Sequence, residues 1–443
     1  MTFENTSPWL YQLKRTRPVV TLDEDSRTTI AIVGGGISGV ATAYFLLHDT
    51  NKSVTLLERD RIAHGATGHN GGQVVAAIET PLTELSKNFD YDLISKGLKA
   101  INRAWDLLYS MVKEMRIEAE ITEVLAYIAL SIDGARFMLE ENQLHERMGL
   151  SWAEFLIAGD AAGEVPEEFR QLFRKISRKE LEELLLTNDR RYSCALIGRS
   201  GLMNSAVFCE ELVSKMMEKY SGRFRVYEDT PVENIDLGKE TILRTNRHDL
   251  EAQQVVLCTN GYTDLEINGI DVSMRCKIEG VLGYIAGYLD ERELRPTATV
   301  YFSTGISSQP SGYFYLSRRN YAKGLNRVLT GIGGPNHSLR KFEDQNLNEI
   351  QDEKEYVKID DFYRTTIIDA KGDRRRDFSW KGLMGYTSNG IRLIGPDPEN
   401  VSLIYNLGCN GIGILPSIYG AKRIARYING ETLEPSIFDP RSL

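Results

Sequence analysis

A glycine-rich turn near the N-terminus constrains the fold of this 443-residue chain more than any other feature. An apolar run at residues 30–33 predicts a buried strand, and G-x-G-x-x-G follows it at Gly34, Gly36 and Gly39. These glycines permit a tight turn, close approach of the backbone to a pyrophosphate, and close packing of the next helix on the strand. A second apolar run ends in Glu58, which is placed to accept hydrogen bonds from a ribose. The segment therefore predicts a dinucleotide site with its phosphates at a helix N-terminus.

The loop after Glu58 narrows the class of dinucleotide. It ends in GATGHNGG at residues 65–72, where small and turn-forming residues allow close backbone approach. Together, strand–GGGISG–helix–LLER and GATGHNGG resemble the FAD-dependent D-amino acid oxidase superfamily, which includes glycine and sarcosine oxidases. Within it, GATGHNGGQ is most similar to the γ-glutamylputrescine oxidoreductase group. The resemblance implies FAD as cofactor, with this loop along its pyrophosphate and ribityl chain.

Two later segments extend the resemblance over about residues 8–430. QVVLCTNGYT at 254–263 reads as a buried strand that ends in a glycine turn. WKGLMGYTSNGIRLIG at 380–395 and the glycine-rich stretch at 406–430 resemble the family's closing pattern, in which a loop touches the flavin ring. The implied fold class is α/β: a Rossmann-like FAD-binding domain of glutathione-reductase type, with an interleaved α+β substrate domain on a mainly antiparallel sheet.

The expected domain organisation is discontinuous. Residues 1–27 form an N-terminal arm with Trp9, Leu10 and Tyr11 as its anchor. Residues 28–120, 200–272 and 385–430 form the FAD-binding domain, and residues 121–199 and 273–384 form the substrate domain. The cofactor-binding residues expected from the motifs are Gly34, Gly36, Ile37, Ser38, Gly39, Glu58, Arg59, Gly65, Ala66, Thr67, His69, Asn70, Gly71, Gly72, Val232, Thr259, Asn260, Gly261, Gly411, Ile412, Gly413 and Ile414.

Composition limits the other function classes. The net charge of −9 and pI near 5.4 argue against nucleic acid as the main partner. The longest apolar runs are far shorter than the roughly 20 residues that a membrane span needs, and the first 20 residues lack the pattern of a signal peptide. The five cysteines are scattered along the chain and form no C-x-x-C motif. This pattern favours a protein of the reducing cytoplasm without a cysteine metal site. The cysteines are Cys194, Cys209, Cys258, Cys276 and Cys409.

Met384 bears on the substrate class. Glycine- and D-amino-acid-oxidising relatives carry an Arg here, after the G-L pair, that clamps the substrate carboxylate. A thioether cannot form that bidentate charged pair. Monomeric sarcosine oxidases carry their flavin-linking Cys at this position, whereas the γ-glutamylputrescine type has an apolar residue. The resemblance therefore favours an amine substrate, although Met384 as a core residue remains an alternative.

Several arginines leave other interpretations open. Arg392 stands near a position where relatives often carry Pro, and a surface salt bridge is favoured over contact with an acidic substrate group. Arg392, Arg318 or Arg319 is the alternative place for a displaced carboxylate clamp. Arg327 resembles a structural position of the family. Sarcosine oxidases have an oxygen-activating Lys where this chain has Leu329, so oxygen and another carrier both remain possible electron acceptors.

His69 and three tyrosines complete the candidates. In dimethylglycine-dehydrogenase-type relatives a His at the matching position bonds covalently to flavin. The favoured alternative is a neutral His69 that donates one hydrogen bond to FAD. Tyr284, Tyr313 and Tyr315 lie on predicted strands that should face the cleft, although a place in the core is the favoured alternative for each. Met384, Tyr284 and Tyr315 are the flavin-face candidates.

The sequence thus predicts an FAD-dependent enzyme that oxidises the C–N bond of a small amine or amino-acid-derived substrate. Hydride passes to the flavin, and the imine then hydrolyses. The alternatives are an α-amino or imino acid oxidase with a relocated clamp, and a flavin-binding subunit without turnover.

Overall fold

The structure, a computed structural model, describes residues 5–151, 153–270, 277–291, 298–303, 313–321, 327–339, 353–368, 370 and 374–442. These residues form two β-sheets with helices packed on them. The helices are α1 (Pro8–Tyr11), α2 (Ile37–Asp49), α3 (Leu82–Leu85), α4 (Tyr91–Asn102), α5 (Ala104–Met115), α6 (Ile132–Arg147), α7 (Arg178–Leu185), α8 (Ser205–Lys219), α9 (Glu353–Thr366) and α10 (Ile414–Ile428). The strands are β1 (Ser26–Val33), β2 (Val54–Leu57), β3 (Gln73–Val75), β4 (Ile121–Leu130), β5 (Glu154–Ala158), β6 (Arg174–Ile176), β7 (Cys194–Met203), β8 (Phe224–Tyr227), β9 (Val232–Leu237), β10 (Thr241–Thr245), β11 (Asp249–Leu257), β12 (Glu266–Asn268), β13 (Glu279–Asp290), β14 (Ala298–Ser303), β15 (Tyr313–Asn320), β16 (Val328–Ser338), β17 (Phe378–Tyr386), β18 (Leu393–Pro396) and β19 (Leu403–Leu407).

The first sheet has a parallel core in the order β8-β2-β1-β11-β19. Residues 30–33 of β1 and all of β2 are buried, because strands of this kind are covered on both faces. Helix α2 leaves β1 directly after the glycine turn and packs against α10 from the other end of the chain. This arrangement confirms the predicted Rossmann-like unit.

Strand β11 links that core to a smaller antiparallel arrangement. Its first half, at residues 249–252, pairs antiparallel with β10, which continues to β9. Its second half, at residues 255–257, pairs parallel with β19. Thus β11 ends in the parallel core, and the turn that follows it comes to the same edge as the glycine turn after β1.

The second sheet runs in the order β17-β13-β16-β15-β14-β4-β7-β5-β6, with β3 added beside β7. Its pairs are antiparallel except for β14 with β4 and β5 with β6. The predicted mainly antiparallel sheet is therefore confirmed.

The two faces of this sheet have different neighbours. Since side chains alternate along a strand, Leu282, Tyr284 and Ala286 of β13 lie on one face, where α9 packs. Gly283 and Ile285 lie on the other face, and Ile285 joins the core shared with α2 and α10. The second face therefore meets the first sheet's domain.

The predicted segment boundaries cross elements of the second sheet. The boundary at 199/200 falls inside β7 and that at 384/385 inside β17, and each is one continuous strand. Strand β3, from the predicted FAD-binding segment, also pairs with β7. In the N-terminal arm, the indole of Trp9 is only 2% exposed.

Candidate active site

The glycine turn brings the N-terminus of α2 against β1 and β11. Gly34 has φ +109°, and a Cβ there would come within 2.6 Å of the carbonyl oxygen of Cys258. A Cβ on Gly39 would overlap the carbonyl oxygen of Gly34. Gly36 is the N-cap of α2 and provides no side-chain cap. Only glycine fits the first two positions, and the first turn of α2 is left for an anion.

Glu58 lies beside this turn at the end of β2. Its carboxylate accepts hydrogen bonds from the backbone N–H of Gly35 at 2.6 Å and of Asp60 at 2.9 Å. Burial raises the pKa of Glu58, and the two N–H donors act in the opposite direction. The side chain lines the same cavity as the turn, which is the position of a ribose-binding acid.

The loop at residues 65–72 is fixed by hydrogen bonds to its neighbours. The backbone N–H of Ile37 donates to Thr67 Oγ1 at 2.9 Å. Asn70 Nδ2 donates to the Thr67 carbonyl and to Ser205 Oγ, each at 2.9 Å, and the indole of Trp9 donates to the Asn70 carbonyl at 2.6 Å. The N-terminal arm and α8 therefore hold this loop in place.

A cavity of about 1500 Å³ collects most of the expected cofactor residues. Its wall includes elements of both sheets, so it lies where the two domains meet. The expected residues that line it are Gly34, Gly36, Ile37, Ser38, Glu58, Arg59, Gly65, Ala66, Thr67, His69, Asn70, Gly71, Val232, Thr259, Asn260, Gly411, Ile412, Gly413 and Ile414.

Three expected cofactor residues pack against protein rather than line the cavity. Gly39 packs on the turn as described above. Gly72 has φ +70°, and a Cβ there would come within 2.8 Å of the Trp9 ring. A Cβ on Gly261 would overlap the carbonyl oxygen of Met384. These glycines allow close approach between segments of the chain.

Met384 lines the cavity from the second sheet. It lies on β17 on the same face as Gly382 and Tyr386, because these positions are two residues apart. Across the strand pair, a Cβ on Gly283 would come within 2.9 Å of Met384 Cε. The thioether therefore covers a glycine of β13 at the cavity wall.

Tyrosines line the cavity near Met384. Tyr301 and Tyr315 are register partners on β14 and β15, with ring centroids 6.3 Å apart, and Tyr313 lies 6.1 Å from each. The Tyr315 ring occupies the space above Gly333, where a Cβ would overlap it. Tyr301, Tyr313 and Tyr315 therefore form one aromatic surface.

Glu79 faces these tyrosines and was not found from the sequence. Its carboxylate contacts Gly411, where an added Cβ would overlap it, and it accepts from the Tyr386 hydroxyl at 3.4 Å. The side chain is exposed to the cavity, and its withdrawal from bulk water there raises its pKa to about 7. No sequence motif marks this acid, because the four tyrosines near it come from strands far along the chain.

Tyr284 lies elsewhere. It is on the face of β13 opposite Gly283, is 1% exposed, and packs edge-on against Tyr356 with ring centroids 5.7 Å apart. The alternation of side chains along β13 places it in the core under α9, so the structure does not bring it to the cavity.

Arg392 is buried next to the glycine turn, so the predicted surface salt bridge is wrong. Its guanidinium donates from Nε to Asn406 Oδ1 at 2.9 Å, and from Nη2 to the Asn406 carbonyl at 2.8 Å and Ser38 Oγ at 3.0 Å. These acceptors are neutral, and burial lowers the pKa of Arg392 to about 10. Within the described residues no carboxylate lies within 4.0 Å of it, and it lines the cavity near the turn.

The other candidate residues lie away from the cavity. Arg318 is buried and donates to Thr330 Oγ1, and the Arg319 guanidinium lies 5.4 Å from the centroid of the Trp9 ring. Arg327 pairs with exposed Glu291 at 2.6 Å. Leu329 is buried in β16.

Beyond the tyrosines the cavity wall becomes apolar. Ile128 of β4 is the register partner of both Tyr301 on β14 and Leu196 on β7, so the three lie in one row across the sheet. Phe137 and Met138 of α6 also line this part of the cavity. The cavity is therefore polar near α2, acidic and aromatic at Glu79, and beyond that mainly apolar, with Glu141 and His145 of α6 also in the wall.

The described residues fit FAD. The first turn of α2 and the unpaired cation of Arg392 suit a pyrophosphate, and Glu58 suits a ribose. The described residues contain no group of three or more His, Cys, Asp or Glu side chains arranged to hold a metal ion. Nor does any helix in the described ranges have the length and apolar character to cross a membrane.

Comparison with known proteins identifies the family. Residues 29–427 match the DAO family, described as "FAD dependent oxidoreductase". Gamma-glutamylputrescine oxidoreductase of Escherichia coli (strain K12) is 23% identical over 266 residues, which are 59% of this chain and 56% of that protein. The chain thus matches little more than half the length of that relative.

Solved structures share the fold. Glycine oxidase from Geobacillus kaustophilus superposes with a TM-score of 0.67 at 17% identity, covering 93% of this chain and 98% of that one. L-alpha-glycerophosphate oxidase from Mycoplasma pneumoniae, with FAD bound, also gives 0.67 at 14% identity, covering 93% and 97%. The fold and the cofactor predicted from the sequence are confirmed, and the chain belongs to the DAO family of FAD-dependent oxidoreductases.

Proposed function

We propose that this enzyme oxidises the C–N bond of an amine rather than of an α-amino acid. The observation that carries the proposal is the charge of the cavity wall. Among the described residues that line the cavity, the only Arg and Lys side chains are Arg59, next to Glu58, and Arg392, which is hydrogen bonded to Ser38 of α2. Met384 instead shares a strand face with Tyr386, whose hydroxyl donates to the carboxyl group of Glu79. A buried substrate carboxylate needs a cationic partner, and an ammonium needs an anionic one.

The chemistry follows from this environment. FAD, when bound, accepts a hydride from the carbon next to nitrogen. That loss needs a neutral amine, because the nitrogen lone pair stabilises the developing cation. The chain's part is to withdraw the ammonium from water, which lowers its pKa, and to hold the amine near Met384. Water then adds to the imine product and gives an aldehyde or ketone together with ammonia or an amine.

The displaced-clamp alternative finds little support in the cavity wall. Arg318 and Arg319 do not line the cavity, and Arg392, which does, lies beside the first turn of α2, where it donates from Nε and Nη2 to Asn406 and Ser38. The electron acceptor and the cytoplasmic location stay as expectations from the sequence.

The test compares an amine with its carboxylated analogue. Purified FAD-loaded protein is mixed anaerobically with each, and loss of flavin absorbance gives the rate of reduction. We expect the amine to be favoured in kcat/KM by orders of magnitude, because an unpaired buried carboxylate is costly. Met384→Arg should shift the preference toward glycine-like substrates, and Met217→Arg is the control, because Met217 is a half-buried methionine of α8 that does not line the cavity. If the amino acid reacts ten times faster or more in wild-type protein, the proposal is wrong.

A further inference from the structure

The cavity contains a carboxylate that lacks a cationic partner. In the part of the chain that the structure describes, the hydrogen-bond donor within reach of Glu79 is the Tyr386 hydroxyl, and no Arg, Lys or His side chain forms an ion pair with it. The Glu79 side chain is exposed to the cavity, so its carboxylate is open to a ligand there. A ligand is therefore the available source of the missing cation.

The groups around Glu79 suit an organic cation. Tyr386 is hydrogen bonded to it, and its charge adds to the effect of burial in raising the pKa of Tyr301, Tyr313 and Tyr315. All four tyrosines line the cavity with it. Aromatic rings attract ammonium groups through their quadrupoles, and this is how proteins recognise alkylated ammonium ligands.

The position of Glu79 ties it to the reacting end. Its carboxylate contacts Gly411, in the loop that leads into α10, and Tyr386 is on the same strand and face as Met384. The other side of the aromatic surface continues into the apolar wall at Ile128 and Leu196. A cation bound at Glu79 would thus have its apolar substituent directed along this row.

We propose that Glu79 and the rings of Tyr301, Tyr313, Tyr315 and Tyr386 form the site for the substrate's ammonium group, and that the substrate class is a monocationic amine with an apolar substituent. This inference rests on the proposed function, since it names the substrate of that same site. Glu79 also takes the proton that the ammonium must lose: the N–H bond breaks, an O–H bond forms on the carboxylate, and both partners become neutral.

The site makes cation binding depend on pH. With a Glu79 pKa of about 7, the carboxylate is ionised at pH 8.5 and largely protonated at pH 5.5. The groups that face it are Tyr386 on β17, Tyr313 and Tyr315 on β15, and Tyr301 on β14. Burial raises the pKa of all four, so they stay neutral throughout this range. Affinity for a cation should therefore fall about 30-fold between pH 8.5 and 5.5.

The probe is benzyltrimethylammonium, which has neither an N–H bond nor a lone pair and so binds without being oxidised. Its affinity for the FAD-loaded protein is measured by calorimetry, with tetramethylammonium and benzoate for comparison. We expect benzyltrimethylammonium to bind most tightly, because it has both the charge and the apolar group. Tighter binding of benzoate would overturn the proposal.

Substitutions distinguish the contribution of the Glu79 charge to cation binding from that of the tyrosine rings. Glu79→Gln should weaken cation binding roughly 10- to 100-fold and remove its pH dependence, whereas Glu79→Asp should keep the pH dependence. Glu84→Gln is the matched control, because Glu84 is exposed on α3 and pairs with Lys87. Tyr313→Phe should keep the affinity and Tyr313→Leu should lower it at least fivefold. FAD content and thermal unfolding are measured for every variant.

The two proposals fail in different ways. If amines reduce the flavin but cation binding is the same in Glu79→Gln and wild type, or in wild type at both pH values, the inference is wrong and the proposed function stands. If the cation binds through Glu79 but amines leave the flavin oxidised, the cation site stands and the proposed function is wrong.

Discussion

Replacement of Arg392 should weaken FAD binding through the loss of a specific charge. In the described structure its guanidinium is 5% exposed and its hydrogen bonds reach only Ser38 and Asn406, which are neutral. Ser38 is the second residue of α2, the helix whose N-terminus faces the cavity. A pyrophosphate bound at that N-terminus would be the counterion that the buried cation lacks.

The expected size of the effect follows from this pairing. A hydrogen bond to a charged group contributes about 1.5–3 kcal/mol. Without Arg392, the dissociation constant of FAD should therefore rise roughly 10- to 150-fold. The stability of the FAD-free protein should change less, because the lost hydrogen bonds to Asn406 and Ser38 are offset by no longer burying an unpaired cation.

Titration of FAD-free protein with FAD, followed by flavin fluorescence, measures this. Arg392→Gln removes the charge, and Arg392→Lys keeps it while losing the planar donor set. Arg327→Gln is the control, since Arg327 is exposed and pairs with Glu291. ADP, which has the pyrophosphate but no flavin, should lose affinity for Arg392→Gln by a similar factor. If FAD and ADP both bind Arg392→Gln within twofold of wild type, Arg392 is not the counterion.

Two further predictions concern the glycine turn and Glu79. Gly36→Val should yield protein without FAD, because a Cβ there comes within 2.9 Å of Thr67 Oγ1 and displaces it from the backbone N–H of Ile37. The ratio of flavin to protein absorbance measures this, and Gly198→Val is the control because a Cβ at Gly198 meets no atom within 4 Å. Full flavin content in Gly36→Val would show that the turn is assigned wrongly. Glu79→Gln should stabilise the FAD-free protein at pH 8 but not at pH 4.5. The pKa of Glu79 is raised to about 7 in the folded protein, so the folded state keeps its proton to a higher pH than the unfolded state does. The free energy of unfolding of the wild type therefore falls as the pH rises from 4.5 to about 7. Thermal unfolding at the two pH values measures it, and equal shifts at both would contradict the assignment.

Local patterns made the nucleotide end predictable. Gly34, Gly39 and Glu58 act within one strand–turn–helix–strand unit, so their spacing carries most of the geometry. The loop at 65–72 was equally accessible, because its small residues touch the same turn. The sequence also predicted the N-terminal arm and its anchor at Trp9, but not that the Trp9 indole donates to the Asn70 carbonyl of this loop.

The substrate end depends on partners that the sequence does not bring together. Glu79 meets tyrosines more than 200 residues away, and strand order decides this. Tyr284 does not line the cavity, because side chains alternate between the two faces of β13 and the Tyr284 side chain lies on the face under α9. Tyr315, two strands away, faces the cavity. Arg392 did carry a signal: it is a lone cation within the apolar run at 391–394, whose apolar members are all buried.

His69 supports a last prediction, that FAD is held without a covalent bond. The imidazole is largely surrounded by protein, and burial lowers its pKa, so it is neutral near pH 7. Nδ1 lies 3.0 Å from the carbonyl oxygen of Gly65 and Nε2 lies 3.2 Å from that of Asn5. A histidyl link needs one ring nitrogen directed at the flavin methyl group, but here both face backbone carbonyls. Acid precipitation should therefore release the flavin into the supernatant of wild-type protein and of His69→Ala alike. Flavin that stays with denatured wild-type protein and comes free only in His69→Ala would require the ring to leave both carbonyls, and would establish the covalent bond instead.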